Sequence, residues 1–244
     1  MIDKIDIVIQ GKYEDYTNKI IEEYLKISLV NSIIVSCWED DDENTFYDDR
    51  VKFIRNKYPS TPGTSNKNLQ IVSSFSGLKE CTSKYTIKTR SDQKYSFDTI
   101  IRFYKFFIDN YQDNIIFVNT IESGLLFHPS DHFYFGKTED MISLFDIPLE
   151  YNSLIDKVRI NKWDLNNYTN YFVRPETYIG AHYCSRFDSR VKLMLIEPEK
   201  YLYDYAPLWS EAHQVSSELT PKFFKPIEVS EINFSWPKYN IGEE

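Results

Sequence analysis

Through roughly its first 120 residues the chain alternates short apolar runs with segments of helical spacing, and no other feature restricts the fold as much. "KIDIVIQG" reads as a buried strand ending at Gly11. "YTNKIIEEYLKISL" sets Ile20, Ile21, Tyr24, Leu25 and Ser28 on one stripe, the spacing of an amphipathic helix. "SIIVSCW" is a second strand and "DRVKFIRN" a third, followed by a loop with Pro59, Pro62 and Gly63. "NKNLQIVSSFSGLKEC" predicts a helix capped by Asn66 or Asn68, "KYTIKTR" a strand, "FDTIIRFYKFFIDNY" a helix and "NIIFVNT" another strand. Strands separated by helices pair through crossovers rather than hairpins. The predicted fold is therefore α/β: a doubly wound, mostly parallel sheet with helices on both faces.

Such sheets bind ligands beyond the carboxyl ends of their strands. The polar breaks of this chain fall at those ends: Gln10-Gly11, Trp38-Glu39-Asp40 and Arg90-Ser91-Asp92. Lys88, Arg90 and Asp92 alternate, so they point to one side of their strand. A buried face does not hold three such groups unpaired. They either neutralise one another as a structural ion pair or leave the sheet to hold something charged.

After residue 120 the texture changes. "GLLFHPSDHFYFG" is aromatic and polar without helical period, and "TEDMISLF" reads as a short helix capped by Thr138. The remainder, with "NYFVRPETYIGAHYCSRF" and "YAPLWSEAH", reads as an irregular C-terminal extension packed on the sheet edge. A single domain over 1–244 is expected, divided near residue 120 into two halves.

Composition narrows the function classes. A net charge of -9 opposes a nucleic-acid partner, which needs a basic surface. Hydrophobic residues at 42% suffice for a packed core, and 7 Gly are few for a turn-rich barrel or sandwich. Cys37, Cys81 and Cys184 are too few and too scattered for a disulfide framework or a zinc site, and read as free thiols of a reducing cytoplasm. No transmembrane segment and no signal peptide is read from the chain, so any membrane attachment would be peripheral. Neither G-x-G-x-x-G nor G-x-x-x-x-G-K-[ST] occurs, which opposes a nicotinamide dehydrogenase and a P-loop kinase, and G-x-S-x-G is also missing.

A strand ending in an acidic residue, without a glycine loop for phosphates, suits a diphosphate bound through a divalent cation. Mn²⁺ and Mg²⁺ take oxygen ligands, commonly one or two carboxylates plus substrate phosphates. Asp92 is the candidate ligand, and Lys88 and Arg90 would add positive charge for a leaving diphosphate. In "HPSDHFYFG", Asp131 and His132 stand beside aromatic residues, a mixture that suits a saccharide. Sugar transfer with inversion needs a carboxylate to deprotonate the acceptor hydroxyl. Asp131 is the first candidate, followed by Asp140 and Glu139, whose place at a helix start has a structural reading too.

"IVIQG", "IIVSCWE", "NLQIVSSFSGLKEC", "KTRSD", "PSDHFYFGKTEDM" and "RPE" occur in this order, and on these motifs the chain resembles the WavE-type lipopolysaccharide-synthesis proteins over about residues 5 to 180. The resemblance implies a GT-A fold and a nucleotide-sugar glycosyltransferase, with a UDP-sugar first among donors and a glycan acceptor. By the same resemblance 1–120 is the nucleotide-sugar-binding half and 121–244 the acceptor side. It puts Gln10 and Gly11 near the nucleobase, Glu39 or Asp40 on ribose or base, Asn68 and Gln70 on base or sugar, and Ser91 among the nucleotide-sugar-binding residues. The usual D-x-D metal motif begins here with Arg90, so Asp92 alone carries over, with His213 as a second ligand from the far end. Arg174 and Glu176 would close the acceptor side with His132, or staple the extension to the core. Two other readings are a sugar-nucleotide nucleotidyltransferase and a noncatalytic glycan-binding module.

Overall fold

The computed structural model describes residues 3–41, 46, 48–122, 124–150, 174–196, 206–228 and 232–237. Asp42 and Glu43 of the acidic run, and the "NYFV" that precedes Arg174, lie outside them. In chain order the first part holds β1 (Ile5–Gln10), α1 (Asp15–Leu25), β2 (Val30–Trp38), β3 (Val51–Asn56), α2 (Lys67–Lys79) and β4 (Tyr85–Arg90). There follow β5 (Lys94–Tyr95), α3 (Phe97–Asn110), β6 (Ile116–Val118), β7 (Phe133–Lys137) and α4 (Thr138–Phe145). Beyond these come α5 (Pro175–Cys184), α6 (Ser189–Ile196), α7 (Ala206–Phe223), β8 (Phe224–Pro226) and β9 (Phe234–Ser235).

Among the described residues the sheet has seven strands in the order β3-β2-β1-β4-β7-β6-β8. β1 pairs in parallel with both β2 and β4, as strand–helix alternation demands, and β2 also pairs in parallel with β3. β7 is antiparallel to both β4 and β6, and β6 pairs in parallel with β8, so β7 alone runs against the rest. The doubly wound, mostly parallel sheet is as expected. β7 was not anticipated, because the aromatic run Phe133, Tyr134, Phe135 carries no alternation: all three are buried, on a strand covered from both sides.

Alternation within β1 sorts its side chains. Ile5, Ile7 and Ile9 join Ile20, Ile21 and Tyr24 of α1 and Phe103 and Phe107 of α3 in one core. Val8 points the other way, to Ile71 and Leu78 of α2, Met141 of α4 and Val215 and Leu219 of α7. The stretch expected to be irregular corrects the sequence reading: among its described residues 175–184, 189–196 and 206–223 are helical. Pro175 occupies the first turn of α5, where its missing N–H has no helical partner to lose. α7 then leads into β8, which adds to the edge of the same sheet, so the second half completes the first half's sheet.

One buried acid pins the amino ends of the strands. Asp6 is fully buried, and its carboxylate accepts from the Thr82 and Ser83 backbone N–H groups at 2.6 and 2.7 Å. It also accepts from the Ser32 hydroxyl at 2.7 Å, the Ser83 hydroxyl at 3.0 Å and the Asn31 amide at 3.0 Å. Burial by itself would raise its pKa, but these donors together hold it below the usual 3.8. A folded-state pKa below the unfolded value means stability that is present above pH 3.8 and lost as pH falls through the lower folded value. Asp6→Ala should therefore cost about 3 kcal/mol in urea unfolding at pH 7, with a smaller difference near pH 2.

Candidate active site

The chain runs outward from β1 to β3 and then returns to the other side of β1, so the winding reverses between β1 and β4. Their carboxyl ends part there, and a cleft of about 710 Å³ opens above them. Gln10, Gly11, Gln70, Arg90, Ser91, Asp92, Asp131 and Glu176 line it, all of them site residues expected from sequence. Gly11 is required at this seam: its φ is +132°, and a Cβ there would come within 2.5 Å of the Ser91 hydroxyl oxygen. The Ser91 backbone N–H donates to the Gln10 carbonyl at 2.9 Å, which keeps the two strand ends together up to the cleft floor.

Arg90 organises the charge. Its Nε and Nη2 fork onto both oxygens of Asp92 at 2.9 and 3.0 Å, and its Nη1 donates to Asp131 Oδ2 at 2.9 Å. The indole N–H of Trp236 adds a donor to Asp92 Oδ2 at 3.1 Å, and the same ring lies 5.5 Å from the guanidinium. Gln70 Nε2 donates to Asp131 Oδ2 at 3.2 Å. Lys88 lies beneath, fully buried between the rings of Tyr134 and Phe145, and donates to the Asp131 backbone carbonyl at 3.1 Å. Burial pulls its pKa down to about 8. Burial would push the Asp131 carboxyl up, but Lys88 and Arg90 outweigh it and hold the group below the ordinary carboxylate value.

Glu176 behaves in the opposite way. It stands in the first turn of α5, and burial together with the neighbouring Asp131 charge raises its pKa to about 7. α5 is seated by Gly180, where a Cβ would collide with the Phe127 carbonyl oxygen, and by the Thr177 hydroxyl 2.9 Å from His128 Nδ1. His132 stands edge-on to Trp236, with its Nδ1 2.5 Å from the side-chain amide of Gln93.

Several expected site residues stand elsewhere. Lys88 does not line the cleft and acts on it through Asp131. Asn68 is fully buried, with its side chain bonded to the backbone of Thr61 and Glu150, so it braces a loop. Glu39 and Asp40 are exposed on the turn after β2, while Trp38 before them faces the cleft. Glu139 and Asp140 fall at the opposite end of the sheet. β7 runs backward, with Phe133 opposite Thr89 and Lys137 opposite Tyr85, so the helix that follows starts about 17 Å from the strand end that carries Arg90. His213, in α7, and Arg174, exposed ahead of α5, are not among the residues lining the cleft. Among the described residues no three His, Cys, Asp or Glu side chains converge as ready-made metal ligands.

Sequence reasoning missed Lys12 and Glu14 on the loop after β1 and Tyr16 in the first turn of α1, which the strand-end rule could have supplied. It also missed Ser65 and Asn66, consecutive left-handed residues (φ 54° and 62°) ahead of α2. Trp236 and Pro237 carry no local signal. They arrive because β9 pairs with β5, with Phe234 opposite Tyr95.

The model of the WavE lipopolysaccharide synthesis family matches residues 5–210. The chain belongs to that family. No curated protein matches this WavE member by sequence. Among solved structures it is similar to the 4-diphosphocytidyl-2C-methyl-D-erythritol synthase of Anaerococcus prevotii, at 10% identity over 66% of this chain and 85% of that one, with a TM-score of 0.42. It is similar to HddC from Yersinia pseudotuberculosis at 14% identity over 62% and 82%, with a TM-score of 0.40. The match to residues 1–349 of S. aureus TarS has 14% identity over 49% of this chain and 36% of that one, with a TM-score of 0.34. No helix among the described residues is long and apolar enough to cross a membrane.

If Arg90 holds Asp131 in the cleft wall, removing the guanidinium strands a buried carboxylate. Arg90→Met should destabilise the fold by about 3 kcal/mol, and the double variant with Asp131→Asn should recover about 1 kcal/mol or more of that in a urea-based double-mutant cycle.

Proposed function

We propose that this chain is a nucleotide-sugar glycosyltransferase, moving a sugar from a nucleoside-diphosphate donor, a UDP-sugar first among them, to a glycan hydroxyl in surface-polysaccharide synthesis. One observation carries the reading: the cleft at the β1–β4 reversal ends in the forked Arg90–Asp92 pair, with no glycine-rich phosphate loop beside it. Family membership supports the polysaccharide context. In this reading Gln10 and Gly11 border the nucleoside and Gln70 the ribose or sugar. Arg90, held by the two carboxylates, adds positive charge for the phosphate oxygens.

The cleft's charge bears on the expected cation. Among the described residues four carboxyl groups, Glu14, Asp92, Asp131 and Glu176, line it against Lys12 and Arg90, so a diphosphate entering alone meets an acidic surplus there. The donor set fits Mn²⁺ or Mg²⁺ that arrives with the nucleotide, with Asp92 as the protein's oxygen ligand and the remaining ligands from phosphate and water. When bound, such a cation would offset charge on the leaving diphosphate. Asp131, kept ionised and hydrogen-bonded, holds Arg90 and Gln70 in place.

Thermal unfolding with UDP-, GDP- and CDP-sugars, each with Mn²⁺ or with EDTA, tests this. The matching donor with Mn²⁺ at a hundred times its Kd should raise Tm by on the order of 5 °C or more, while Mn²⁺ alone leaves it nearly unchanged. Asp92→Asn should remove the cation-dependent part of the shift. No shift with any donor would favour a glycan-binding module, and pyrophosphate release from a nucleoside triphosphate would favour a nucleotidyltransferase.

A further inference from the structure

Four carboxyl groups line the cleft, and the described contacts leave one of them without a cation at ion-pair distance. Glu14 is paired with Lys12, Asp92 is forked by Arg90, and Asp131 is held by Arg90 and Gln70. Glu176 has no such partner, yet it lines the same space from the first turn of a helix fixed by Gly180 and Thr177. Its ionisable surroundings are Arg90 and Lys88 on β4, Asp131 ahead of β7, Tyr134 on β7 and Arg174 at its own helix start.

We propose that Glu176 is the general base that takes the proton from the acceptor hydroxyl. The proposal rests on the glycosyltransferase reading and deepens it. The hydroxyl oxygen bonds to the anomeric carbon as the bond from that carbon to the diphosphate breaks. The electron pair leaves with the nucleoside diphosphate, and the hydroxyl proton passes to a Glu176 oxygen. This is one displacement, so the anomeric centre inverts. A base needs a free lone pair and a proton affinity near the working pH. Glu176 meets both conditions: its oxygens are not tied to a cation, and burial with Asp131 nearby brings its pKa to about 7. Asp131 fails the second, since Lys88 and Arg90 depress its pKa, and its Oδ2 is already shared by Arg90 and Gln70. Two neighbouring carboxyls driven in opposite directions are the pattern of divided acid–base roles.

The experiment measures donor Kd by calorimetry and nucleoside-diphosphate release with water as acceptor, for wild type, Glu176→Gln, Glu176→Asp and Glu176→Ala. Wild-type release should rise with pH through a limb near 7, because the base works deprotonated. Glu176→Gln should bind donor within about twofold of wild type, release nucleotide about a hundredfold more slowly, and lose the limb, while Glu176→Asp keeps part of the rate. Azide needs no deprotonation, so it should restore release in Glu176→Ala by about tenfold or more and give a glycosyl azide of inverted configuration. Folding is checked separately: a carboxyl whose folded pKa is raised opposes folding once it ionises, so Glu176→Gln should melt no lower than wild type at pH 8. A variant that binds donor yet keeps the wild-type rate or the pH limb overturns the assignment, as does failure of azide to rescue Glu176→Ala or a product of retained configuration. If wild type binds no donor at all, the glycosyltransferase reading falls, and the assignment with it.

Discussion

Arg90 answers to two carboxylates, one two residues along its own chain and one 41 residues away, and both are needed to keep a guanidinium at the rim of a cleft. A cation left unpaired at a half-buried strand end would draw water into the sheet or fold back over the surface. Forked on Asp92 and bonded to Asp131, it stays in a fixed plane in the cleft wall. Asp131 depends on it in turn, because a buried carboxylate needs its donors. Lys88 below and Trp236 above complete the frame, so the charges that line the cleft are also part of what holds its walls together.

The reversed strand makes this possible. Were β7 parallel to β4, the residues leading into it would lie at the floor of the sheet, and Asp131 would be far from Arg90. Running backward, β7 brings its leading turn to the carboxyl end of β4 and sends the acidic first turn of α4 to the other edge. One antiparallel strand among parallel ones thus selects which of several acidic residues in "SDHFYFGKTED" reaches the cleft.

Charge within the cleft is divided unevenly. Basic groups crowd Asp131 and depress its pKa, whereas Glu176 is half-buried beside that fixed negative charge and its pKa is raised. Trp236 brings the far end of the chain into that balance, because its indole N–H shares Asp92 with Arg90.

Local periodicity alone determined the winding: strand, helix and strand at short spacing close only as parallel crossovers, and the polar residues that stop each strand then gather on one edge. Gln10, Gly11, Arg90, Ser91 and Asp92 were legible in that way, since each is the last residue of a strand or one of the two that follow it. β7 was not legible, because burial on both faces erases alternation, and α5 was not, because its buried residues Thr177, Ile179, Gly180, Ala181, Tyr183 and Cys184 form no apolar stripe. Asn68 and Lys88 look like ligand residues by type and become braces only through contacts with Glu150 and Asp131, distant in sequence. Whether a carboxyl serves as clamp or as base is likewise not written in its neighbours along the chain. It depends on which charges the fold brings within a few ångströms, and that is settled by long-range packing rather than by spacing.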